Sequence, residues 1–123
     1  MSRASYLAFL EQAHLMGVEY RQTPEILRTE DQEQRRARLE EHRARLREAF
    51  GSFRHTCQVA TVHARSSKAI EACDHVFAAS RTVYITLGDI AEGATNASAF
   101  YAALDHYWSA VQELGKAVRL EEP

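Results

Sequence analysis

RTEDQEQRRARLEEHRARLRE, residues Arg28 to Glu48, holds seven arginines and six acids but only two large apolar side chains, Leu39 and Leu46. Phe53 continues that pair at the same spacing of seven, so an apolar stripe begins partway along a run otherwise suited to water. The pattern predicts one long helix, solvated at its start and packed from Leu39 onward. Acids and arginines four apart, Asp31 with Arg35 and Glu41 with Arg45, would each add about 0.2–0.5 kcal/mol to such a helix.

Upstream, two starts compete. Thr23-Pro24-Glu25 offers a cap followed by proline at the first helical position, whereas Thr29-Glu30-Asp31-Gln32 offers a capping box with acids in the first turn. Thr29 is the stronger start, which leaves Pro24 to Arg28 as a connector or short turn. Before Leu39 the inward positions would be Gln32 and Arg35, neither able to bury against an apolar neighbour without a polar partner. The first two or three turns should therefore overhang the rest of the fold. Either they form a solvated rod or they meet another subunit.

Downstream, nothing breaks the helix until Arg65-Ser66-Ser67, so it could run for about 35 residues, or roughly 50 Å. Gly51-Ser52 is its one soft spot. The stretch Thr56 to His63 alternates like a strand, but a lone strand would find no partner in this chain. If the chain reverses at Arg65, residues whose numbers sum to about 130 share a level. Those pairs are Ala60 with Ile70, Cys57 with Cys73, Phe53 with Phe77 and Leu46 with Tyr84, all drawn from stripes that helical periodicity already turns inward.

Two further helices complete the set. Tyr6, Phe9, Leu10, Ala13, Met16, Gly17 and Tyr20 share one arc near the N-terminus, and Phe100, Leu104, Tyr107, Val111, Leu114 and Val118 alternate spacings of four and three. The expectation is an all-α, antiparallel up-and-down four-helix bundle with one over-long, charged second helix. Its helices span about 4–21, 29–64, 67–87 and 97–120, and residues 1–123 read as one domain. Gly88-Asp89 is the expected stop after Leu87. A turn near Glu92 and Gly93 would set Tyr101 opposite Tyr84 and Trp108 opposite Phe77.

Composition narrows the function classes. The formal net charge is -2. The candidate nucleic-acid footprint, Arg35, Arg36, Arg38, Arg43, Arg45 and Arg47, is interrupted by Glu40, Glu41 and Glu48, so nucleic acid is disfavoured. No window has the roughly 18 consecutive apolar residues of a membrane span. The two cysteines lack a CxxC spacing and the N-terminus does not resemble a signal peptide, which predicts a reduced, cytoplasmic protein. Thirteen arginines against two lysines, with 20 alanines, suggest a GC-rich bacterial genome.

The candidate sites are few. Glu11 and His14 form an ExxH, the helical spacing for a metal-binding carboxylate and imidazole, but a di-iron bundle needs two such motifs. On a wheel both flank the core. His42 falls on the Leu39–Leu46 stripe and reads either as a boundary histidine with one nitrogen hydrogen-bonded or as a register or pH switch. Cys57 and Cys73 read as two thiols sharing a core layer. Tyr101 and Trp108 lie on a second stripe of the last helix, which either fills a groove or binds a partner. With Arg35, Arg36 and Arg43 they are the candidate partner surface. Leu7, Leu15 and Val18 widen the apolar surface of the first helix beyond one face.

No cofactor is implied. The predicted function is a protein–protein interaction module, an adaptor, scaffold or regulatory subunit that self-associates, with a homodimer as the simplest form. The competing reading is a metal-binding or enzymatic bundle using Glu11, His14 and His63.

Overall fold

A computed structural model describes residues 2–121. Its elements are α1 (Ser2–Tyr20), α2 (Thr23–Leu27), α3 (Gln32–His63), α4 (Ser67–Ala91) and α5 (Ala97–Glu121). The four long helices form an antiparallel up-and-down bundle, with no strand among the described residues. Neighbours run in chain order around the bundle, α1 against α3, α3 against α4, α4 against α5, and α5 back against α1. The short α2 is the connector expected around Pro24. It packs on α3 and buries Thr23 and Ile26.

Punctuation explains the boundaries. Asp31, rather than Thr29, caps α3, its carboxylate accepting from the Gln34 amide at 3.2 Å. Thr29 instead accepts from two arginines of the first turns, through its carbonyl from Arg35 at 2.9 Å and through its hydroxyl from Arg38 at 2.6 Å. Ser66 caps α4, accepting from Ala69 at 3.1 Å. The Asn96 side chain accepts from the Ser98 amide at 3.1 Å at the start of α5. The expected stop at Gly88 does not occur, and α4 runs to Ala91 before Gly93 takes the left-handed conformation (φ 77°) that ends helices readily. Gly88 has a packing role: a Cβ there would come within 2.8 Å of the Arg43 guanidinium.

The α3–α4 hairpin has the register that its two stripes dictate. Phe53 lies parallel to Phe77 at 6.0 Å between ring centroids, Cys57 Sγ donates to the Cys73 carbonyl at 3.8 Å, and Arg47 bonds the Tyr84 hydroxyl at 2.5 Å. Trp108 and Phe77, expected face to face, turn to different flanks. Trp108 packs against α1, while Phe77 packs against Phe50 and Phe53 of α3. Ala103, Ala110 and Ala117 lie on the side of α5 away from Trp108, and their short side chains permit the extensive contact between α4 and α5.

Burial is complete along the seams: Phe9, Phe53, Val83, Leu87, Phe100 and Leu114 are each 0% exposed. At roughly 25 cal/mol per Å² of apolar surface, each large side chain contributes about 1.5–3 kcal/mol. Three polar groups within this core are paired across helices. The Tyr107 hydroxyl donates to the Ala13 carbonyl at 2.5 Å, and the Tyr20 and Ser80 hydroxyls bond each other at 2.5 Å.

The charged beginning of α3 is longer than its neighbours require. Gln32, Glu33, Gln34, Arg36, Ala37 and Arg38 are exposed, and Arg35 is half-buried. α2 packs on α3, and a cleft is shared between the first turns of the projection, Gln32 to Arg36, and the turn after α4, Glu92 to Asn96.

Candidate functional site

Two surfaces of the bundle carry more chemistry than packing demands. One is the outer face of α1. Its inner face is fully used, with Tyr6, Phe9, Ala13, Met16 and Tyr20 all buried. On the outside, Leu7 is 50%, Leu15 52% and Val18 51% exposed. A helix apolar around most of its circumference is ordinarily enclosed on all sides. Here one side faces water.

Glu11 and His14 stand on this same outer face, both exposed. His14 Nδ1 lies 2.9 Å from the Leu10 carbonyl of its own helix, and its ring rests 5.9 Å from Trp108. A carbonyl can only accept, so Nδ1 carries a proton and Nε2 is the nitrogen left facing outward. Among the described residues no group of three or more His, Cys, Asp or Glu side chains could hold a metal ion. His63, the remaining residue of the metal-binding alternative, is exposed at the far end of α3.

The second surface is a cleft of about 570 Å³ between α3 and α4, floored by the end of α1. Met16, Leu46, Phe50 and Phe77 supply its apolar lining, and Arg47, Arg54 and Arg81 its charge. No Asp or Glu lines it. Tyr84 closes one end, receiving the Arg47 hydrogen bond on its hydroxyl while the Arg43 guanidinium stacks on its ring at 4.5 Å. Neither Arg54 nor Arg81 was a candidate from sequence. The available signal was that Arg47 and Arg54 each follow a seam residue, Leu46 and Phe53, which places both on the flank next to the core.

The other candidates are dispersed. Tyr101 is 46% exposed against Phe100. Trp108 fills the groove against α1, where Arg21 lies over its ring at 5.4 Å. Arg36 is exposed and Arg35 is tied to Thr29. Arg43 reaches Glu40 at 3.5 Å, and its buried Nε has no hydrogen-bond partner.

His42 is 0% exposed, with Nε2 2.8 Å from the Thr23 hydroxyl and Nδ1 unpartnered. An orphaned buried N–H is rarer than an under-used acceptor, which assigns the proton to Nε2, donating to Thr23. Burial, reinforced by the charge of Arg45, pushes the His42 pKa down to about 4. The ring is therefore neutral between about pH 5.5 and 8, where a physiological pH switch would have to act, and its titration falls below that range.

Cys57 and Cys73 are buried thiols not joined in a disulfide. Burial pushes the Cys57 thiol up to about 11, so it packs as an apolar group at neutral pH. Burial also raises the Tyr20 hydroxyl to about 12 and Tyr107 above its ordinary value.

Compared with known proteins, the chain matches no family model, no curated protein and no solved structure. No described helix is long and apolar enough to cross a membrane.

Proposed function

We propose that this chain is a helical protein–protein interaction module that self-associates through the outer face of α1. The observation that carries the reading is the half-exposure of Leu7, Leu15 and Val18 on a helix whose other face is already enclosed. Burying such side chains removes apolar surface from water at about 25 cal/mol per Å², and a second copy offers the same stripe in return.

The pattern suits a two-fold axis. Leu7, Glu11, His14 and Val18 are spaced four, three and four apart, which reads the same in both directions. When two copies of α1 lie antiparallel, Leu7 meets Val18 of the partner subunit and Glu11 meets His14 of the partner subunit. An ionised carboxylate only accepts, so the pair makes its polar contact when the outward Nε2 of His14 also carries a proton. Reading Glu11 and His14 as interface residues accounts for their shared position better than an incomplete metal site does. A cytoplasmic location belongs to this proposal, supported by two core thiols that form no disulfide.

Mass measurement in solution tests it. The native chain should be a dimer, and Leu15→Glu, which places a charge in the apolar stripe without touching the core, should be a folded monomer. A native chain that stays monomeric at every concentration would overturn the proposal.

A further inference from the structure

We infer that the cleft between α3 and α4 is a binding site for an amphipathic organic anion, a carboxylate head joined to an apolar body. This site is independent of α1's outer face and survives or fails separately from the dimer.

Its volume, about 570 Å³, lies within the range of small-molecule sites, about 300–1,000 Å³. The apolar part of its wall is a continuous surface, because Phe50 and Phe77 meet at 5.3 Å between centroids over Leu46 and Met16. Such a surface holds a hydrocarbon or flat ring and gives no reason for charge to gather beside it.

Yet charge does gather there. Arg47 and Arg54 are two turns apart on one flank of α3, about 10 Å along the axis. Arg81 comes from α4, and the hairpin register brings it to the height of residue 49, between those two. Among the described residues Arg54 and Arg81 make no ion pair with a carboxylate, and Arg47 spends its bond on the Tyr84 hydroxyl.

Three like charges around one concave apolar wall repel one another, and a bound anion converts that repulsion into attraction. Guanidinium forks match the two oxygens of a carboxylate, which selects this head group over an alcohol. Arg43 stacked on the far side of Tyr84 fixes that ring and, through it, the Arg47 fork.

The test is a titration of the full chain with sodium decanoate, kept below its micelle threshold, with decanol, decyltrimethylammonium and acetate as controls. Binding is followed by calorimetry, and its location by NMR shifts of the Phe50, Phe77 and Tyr84 rings. Decanoate should saturate one site, bind at least about tenfold more tightly than decanol or the cation, and shift those rings, while acetate alone should not bind. Arg54→Gln and Arg81→Gln alter exposed side chains and should leave the helical circular dichroism unchanged while each weakens decanoate about tenfold. Equal binding of decanoate and decanol, binding insensitive to both substitutions, or no saturable binding would each overturn the inference.

Discussion

Gly17 and Trp108 share one volume: a Cβ built on the glycine would overlap the six-membered ring of the indole. The glycine is buried in the last turn of α1, where the residue type costs up to about 0.5–1 kcal/mol of helix stability, and the close approach of α5 explains why it is tolerated. Gly17→Ala gains that propensity but must displace the indole, and overpacking of this kind costs about 1–3 kcal/mol. The urea midpoint should fall, and tryptophan emission should shift to the red as the ring is pushed toward water.

Gly51 supplies the opposite sign. It is exposed within unbroken α3, and a Cβ there meets nothing within 4 Å. Gly51→Ala should raise stability by about 0.5–1 kcal/mol, read from the same urea midpoint.

Acid should find His42. Unfolded histidine protonates near pH 6.5, whereas folded His42 resists until about pH 4, so between those values the unfolded chain holds the extra proton. Its contribution is complete above about pH 6.5 and is lost as pH falls toward 4, a change of about 3 kcal/mol. Comparing unfolding free energies at pH 7 and pH 4, the native chain should lose about that much more than His42→Gln.

Both thiols should be silent in the folded protein. Cys73 is 0% and Cys57 6% exposed, and at pH 8 a thiol held near 11 is ionised in about one molecule in a thousand. A thiol-specific chromogenic reagent should react only as fast as the bundle opens, and release two equivalents in denaturant.

Periodicity carried the hairpin because it fixes both which side of a helix faces inward and, with one turn located, the height at which residues meet. Phe53 on Phe77 and Cys57 on Cys73 follow from those two quantities alone. What periodicity does not contain is the choice of flank. Trp108 lies beside the α5 seam and could have leaned toward α4 or α1; the absence of a side chain at Gly17 decided it, and that information sits 91 positions away in the chain. Gly88 misled for a related reason, since a glycine that admits an arginine looks the same in sequence as one that ends a helix. The arginines of the cleft were hidden by the acids between them. Only the fold separates Arg47, Arg54 and Arg81 from Glu40 and Glu48, by placing the former along the inter-helix groove.

The buried hydroxyls of Tyr107, Tyr20 and Ser80 limit which arrangements of this chain are tolerable. Alanine-rich helices offer near-equivalent grooves at every turn, and grease alone discriminates poorly between them. Sliding α1 by one turn would strand the Tyr107 phenol and the Tyr20–Ser80 couple in a dry interior, at about 1–3 kcal/mol for each orphaned group. These three side chains act as alignment pins that let repetitive surfaces lock in a single setting.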